Sequence, residues 1–116
     1  MPDSTYSGAG SRFFSAGAMV LVTLGNPREK FWGALHALDP AGLAVCGIDV
    51  QSFDDTATMV RAGDPFTPDA VFFPMHRVER VELDARTGDI PSLRERFSAK
   101  SGRDPAELFA AAGSQW

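Results

Sequence analysis

Two histidines, one cysteine and fifteen carboxylates are the side chains here whose types could do chemistry. His36 and His76, with Asp39 or Cys46, offer the donor atoms a metal ion takes. No Cys-x-x-Cys or His-x-x-x-His spacing accompanies them, and a tetrahedral site needs four converging groups, so no metal is expected. Cys46 and His36 fall on neighbouring strands of one predicted hairpin, as a nucleophile and its base would. Nothing near them in sequence supplies an oxyanion hole or a third, orienting group. A glycine-rich loop that would cradle phosphates is also missing. The chain is therefore read as a non-enzyme, with no cofactor and no small-molecule substrate.

The element that positions these groups is the stretch Phe31 to Val50. It carries strand patterning on both sides of the turn signal Asp39-Pro40-Ala41-Gly42. Strict alternation puts Phe31, Gly33, Leu35 and Ala37 on one face and Trp32, Ala34, His36 and Leu38 on the other. Both faces are mostly apolar, so the hairpin is expected to be covered on both sides. Gly33 and Gly47 lie inside the strands, where glycine marks a sharp bend or a close backbone approach. Trp32 reads as a core aromatic or, if exposed, as a stacking platform for a base. Asp39 is expected to cap the turn by accepting backbone N–H bonds.

Composition narrows the function classes. The 116 residues suffice for one domain with a single modest core. A net charge of −4 is the wrong sign for broad affinity to a phosphate backbone. One cysteine cannot form an internal disulfide, which fits a reducing compartment. No apolar run is long enough for a membrane-crossing helix, and no charged leader precedes an apolar core, so a cytoplasmic protein away from membranes is expected.

Along the chain, residues 1–18 read as a disordered or loosely docked leader. Met19–Leu24 is a first strand. Residues 51–69 hold four aspartates against Arg61 and read mainly as a long acidic connection, with a short strand possible at Thr58–Arg61. Ala70–Phe73 and Arg77–Leu83 are two further strands. The second carries interleaved charges, as an edge strand does. Residues 85–116 form a helical extension. One helix opens at Pro91, with Leu93 and Phe97 on one face and Gly102 past its end. A second runs near Pro105 to Ala112, with Asp104 as N-cap and Glu107 at capping-box spacing. These helices are expected to cap an open barrel end or to dock on a neighbour. Together this describes a mainly β fold: a small, strongly bent, five-stranded antiparallel barrel, Sm-like or SH3-like, with short C-terminal helices.

Residues 31–39, Phe-Trp-Gly-Ala-Leu-His-Ala-Leu-Asp, preceded by Val22-Thr23-Leu24, resemble the first motif of the Sm-like family, which includes the bacterial Hfq-type members. Residues 71–81 are similar to its second motif, and His76 falls where the bacterial members carry a histidine. The resemblance spans roughly Met19 to Asp84. It departs from the family at Gly42 and Leu43, where Met-Asn is usual, and at Met75, where bacterial members have lysine. The resemblance implies a homo-oligomeric ring closed edge to edge, with Val71, Phe72, Phe73, Val78 and Arg80 at the subunit interface. Alternation puts Phe72 and Phe73 on opposite faces, so at least one needs a partner outside the core. It also implies single-stranded RNA held by His76, Arg77, Asp39 and Gly42 facing a pore. Arg77, Arg80 and Arg86 could instead pair with Glu79, Glu82 and Asp84. Two functions follow: an RNA-binding ring, or an oligomeric module for protein partners whose working surfaces are the acidic segment and the terminal helices.

Overall fold

The computed structural model describes residues 13–113. Five strands form one antiparallel sheet: β1 (Met19–Leu24), β2 (Glu29–Asp39), β3 (Gly42–Asp49), β4 (Asp69–Pro74) and β5 (Val78–Leu83), in the spatial order β4-β3-β2-β1-β5. Helix α1 (Phe53–Arg61) follows a 3-10 turn after β3, and α2 (Leu93–Ser101) and α3 (Pro105–Gly113) follow β5. Among the described residues the ladder is not closed, for β4 pairs only with β3 and β5 only with β1.

The sheet nevertheless curls strongly, and chain length forces it. The two edge strands lie four strand spacings apart, about 19 Å if the sheet were flat. Only the 3-10 turn Met75–Arg77 joins them. The four residue steps from Pro74 to Val78 reach at most about 14 Å even when extended. The edges must therefore fold towards each other. Valines from both edge strands, Val71 of β4 and Val78 and Val81 of β5, pack on one inner cluster with Val20, Val22, Leu24, Phe31, Leu35, Leu43 and Val45. Phe73 joins them edge-on to Phe31 at 5.4 Å. Gly33 and Gly47 face each other in register at the centre of the curl. A methyl on Gly33 would lie 2.7 Å from the Gly47 Cα, inside contact distance, so only glycine permits this approach.

The outer face is equally apolar, as the hairpin sequence implied. Trp32 is fully buried there, and each helix sends it one phenylalanine: Phe53 of α1 at 5.3 Å, Phe97 of α2 at 5.5 Å and Phe109 of α3 at 5.2 Å. The helices thus cover a sheet face around a core tryptophan, rather than capping a barrel end. Ala37 differs from strict alternation. The β2–β3 register shifts between Leu35 and Ala37, so Ala37 lies opposite Ala44 and Leu38 opposite Leu43. A similar shift at Glu79 lets Val78 join Val81 on the inner side. This resolves the uneven alternation of β5.

The acidic segment is helical where a connection was expected. Phe53, Thr56, Ala57 and Val60 are buried at spacings of three, four and seven, the period of one helix face. Asp54 and Asp55 occupy the first turn, which favours negative charge. Asp54 and Asp55 sit on the solvent side of this helix, Asp64 lies past its end and Asp69 opens β4. No strand forms at Thr58–Arg61.

Helix α2 begins two residues past Pro91, at Leu93, with Ser92 as its N-cap. Ser92 and Glu95 form a reciprocal capping box, with the Glu95 amide donating to Ser92 Oγ at 3.0 Å and the Ser92 amide to Glu95 Oε1 at 2.9 Å. Gly102 ends it in the left-handed conformation. Asp104 caps α3 through the Ala106 amide and binds Arg94 through both oxygens, at 3.0 and 2.8 Å, which ties the two helices together. The leader is described only from Phe13. Within it the Gly17 amide donates to the Leu35 carbonyl, and Phe14 packs against the inner cluster.

Asp84 joins these layers. Its carboxylate accepts the Trp32 indole N–H at 3.0 Å and the first two amides of α2, Leu93 and Arg94, each at 2.8 Å. Replacing Asp84 with alanine is expected to cost about 2–3 kcal/mol, since hydrogen bonds to a charged acceptor are lost and an indole donor is left unpaired. Urea unfolding of Asp84→Ala beside wild type measures this. Gly47→Ala is expected to lose about 2 kcal/mol or more in the same assay, from overlap with the Trp32 backbone.

The helical ion pairs give a pH dependence. The Arg94 guanidinium, helped by the Ala106 amide, holds the Asp104 carboxyl below the usual range. The Ser92 amide and then Arg86 do the same for Glu95. A carboxyl lowered in the folded state contributes stability at neutral pH and loses it as pH falls through the folded value. The urea midpoint should therefore drop below about pH 4, and Asp104→Asn should flatten that drop.

Candidate functional site

The residues singled out for RNA lie on the turn that joins the edge strands and on the β2–β3 turn it touches. The Met75 amide donates to the Ala41 carbonyl, and the Gly25 amide donates to the Arg77 carbonyl. The turn between the edge strands is thereby pinned to the β2–β3 turn on one side and the β1–β2 turn on the other. His76 is exposed on this turn. Arg77 has a different task. Its Nε donates to the Gly25 carbonyl at 3.0 Å, and its Nη2 donates to the Pro27 carbonyl at 2.8 Å and to Glu29 at 3.1 Å. The guanidinium fastens the β1–β2 turn to the edge strands, and a ligand would have to break that set to use it.

Asp39 caps its own turn, accepting the Ala41 amide at 2.8 Å, as its place in the sequence implied. Gly42 is buried beneath β4, and a methyl there would strike the Phe73 carbonyl and lie 2.7 Å from the Phe72 ring. It is a packing residue without a surface to offer a base.

The residues expected at a subunit interface divide by face. Val71, Phe73 and Val78 point into the inner cluster, half-buried. Phe72 points the other way and is 55% exposed. Between Ala70 and Phe73 the β4 edge carries no charge, a proline appears only at its end, and no strand among the described residues pairs with its outer side. The β5 edge is studded with Glu79, Arg80 and Glu82 instead. One bare edge and one charged edge thus end the same bent sheet.

Cations are mostly engaged within the fold. Arg77 pairs with Glu29, Arg80 with Glu82, Arg86 with Glu95, Arg94 with Asp104 and Lys100 with Asp54. Of the pairs considered from sequence, Arg80–Glu82 is the one formed; Arg77 and Arg86 choose carboxylates more distant along the chain. Arg61 donates to the Lys100 carbonyl, and Arg96 lies over the Phe53 ring at 5.5 Å. Arg28, Lys30 and Arg103 make no ion pair among the described residues.

The groups with possible chemistry are not gathered. Among the described residues no three of His, Cys, Asp and Glu are placed to hold a metal ion. Cys46 and His36 both line a small cavity of about 190 Å³ beside Phe109, but burial raises the Cys46 thiol and keeps it protonated. A larger groove of about 560 Å³ runs between β5 and α2, edged by Lys30, Arg80 and Arg96. Sequence reading placed Arg80 at an interface and passed over Lys30 and Arg96. Only the strand register and the returning helix bring the three together.

Arg77→Ala should lower stability by about 1–2 kcal/mol in urea unfolding, because its loss frees two turn carbonyls and Glu29. His76→Ala should leave the midpoint unchanged. No helix among the described residues is long and apolar enough to cross a membrane. No protein-family model matches the chain, and no curated protein or solved structure shows significant similarity to it.

Proposed function

We propose that this chain is a non-enzymatic, Sm-like self-assembling module that acts in the cytoplasm as an oligomeric scaffold for protein partners. The bare β4 edge of one subunit pairs with the charged β5 edge of the next and completes the barrel between subunits. The single observation that carries this reading is the pair of six-residue edges left unpaired among the described residues at the two ends of one bent sheet, with Phe72 exposed in the uncharged stretch Ala70–Phe73 of one. An edge with no charge, bulge or covering element is a template for another strand. Two different edges on one subunit make a head-to-tail contact, and such a contact closes into a ring when its rotation allows. The curl supports closure, because the 3-10 turn fixes the angle between the edges.

Charge supports a scaffold over a nucleic-acid binder. The protein is acidic, most of its cations are engaged internally, and Arg77 is committed to a turn. A second reading, single-stranded RNA at the pore, draws on one observation: His76 is exposed on the turn that the edges share.

Native mass spectrometry of protein purified gently from cell extract tests both. A closed ring without nucleic acid is the expected result, and Phe72→Lys should shift it towards monomer with unchanged far-ultraviolet circular dichroism. A monomer at every concentration removes the assembly, and a ring that retains RNA transfers the function to the second reading.

A further inference from the structure

The groove between β5 and α2 lies on the outer face of the sheet, beside the β5 edge. Thr23 of β1 lies directly opposite both Lys30 of β2 and Arg80 of β5. Directly opposed residues share a face, so Lys30 and Arg80 stand on the outer face in one row, two strand spacings or roughly 10 Å apart. Both are exposed, long and flexible, and can close on an object between them. Arg96 of α2 comes from the third side. Three cations therefore line one groove in a protein whose net charge is −4, Arg96 with its guanidinium over the Phe53 ring.

Two carboxylates also line the groove and offset part of this charge, leaving the cations in excess by one. Asp84 turns inward, its oxygens taken by the Trp32 indole and two helix amides. Glu82 meets Arg80 at 2.7 Å, but the Arg80 side chain is 70% exposed. An exposed pair of this kind contributes little, and an incoming anion can displace or share it.

Between these charges the groove has an apolar strip, with Thr87 and Ser92 also on its wall. Leu21, Val50 and Leu93 line it, and Ile90 stands at its rim. Ile90 is 69% exposed, the most exposed of the large apolar side chains among the described residues. It is held out by a tight turn in which Thr87 and Ile90 exchange both backbone hydrogen bonds around Gly88, itself at φ +57°. A rigid turn presenting an uncovered isoleucine beside three cations suits a ligand with a charged end and a flat apolar body. The volume, about 560 Å³, lies within the range of small-molecule sites.

We propose that this groove binds a small amphipathic anion, an oxyanion carried on a flat apolar ring. Lys30 and Arg80 hold the oxyanion through charge-assisted hydrogen bonds, and Ile90 covers the ring. Arg80 also belongs to the β5 edge that the proposed assembly uses, whereas Lys30 lies two strands in, so the Lys30 variant reports on the groove apart from assembly.

Titrating the isotope-labelled full chain with phenyl phosphate, followed by amide chemical shifts, tests it. Saturable shifts confined to Lys30, Arg80, Glu82, Ile90 and Leu93 are expected. Lys30→Ala and Arg80→Ala should each weaken binding about tenfold, with spectra elsewhere unchanged. Benzyl alcohol, which keeps the ring and loses the charge, should give no saturable shift at the same concentrations. Equal response to benzyl alcohol, shifts outside the groove, no saturation, or unchanged binding in both variants would each overturn the proposal. So would a response of these amides to a single-stranded oligonucleotide but not to phenyl phosphate.

Discussion

The hydrogen bonds of Asp84 hold this architecture together. A tryptophan buried in the middle of a sheet face brings a large apolar surface and one N–H that must be satisfied. Trp32 finds its acceptor on Asp84, one residue past the end of β5, across the width of β1. The same carboxylate accepts the first free amides of α2, where the helix end favours negative charge. One side chain therefore fixes where the sheet ends, how Trp32 is turned and where the first terminal helix begins. Phe97 and Phe109 follow from that start, since a capped α2 and a short link place both rings against Trp32.

A second constraint is the curl. The short turn between the edge strands, the Gly33–Gly47 contact and the shared inner cluster all require it. Curling lets a five-stranded sheet bury one face against itself while the helices bury the other. With much of both faces covered, the backbone left able to pair among the described residues lies on the two outer edges. The same geometry that makes the core possible thus leaves β4 and β5 as the surfaces through which the chain can extend its sheet.

Charge is arranged with similar economy. The helical ion pairs and the Arg77 contacts fasten loops and helices, so little of the positive charge is available to track a polyanion. The groove beside α2 departs from this pattern. It owes its character to the sheet register, which sets Lys30 and Arg80 on either side of Thr23.

Much of the fold was legible in the sequence because it rests on local patterns. The first strand, the hairpin around Asp39–Gly42, the doubly apolar β2, the glycine contact and the Gly102 and Asp104 helix signals depend on neighbours a few residues apart, and all appear. Helix α1 was legible too, in the spacing of Phe53, Ala57 and Val60, but acidic composition outweighed the period in the reading. Other features could be settled only by tertiary structure. The register shifts that move Ala37 and Val78 are set by competition among packing partners on both faces. Arg77 reads as a surface cation until the Gly25–Glu29 turn folds beneath it, and Asp84 reads as a turn residue until Trp32 and α2 arrive. The cationic groove requires three elements distant along the chain to meet. Sequence determines local conformation through short-range sterics and periodicity; which polar groups become satisfied, and which stay exposed, depends on long-range packing that no local pattern contains.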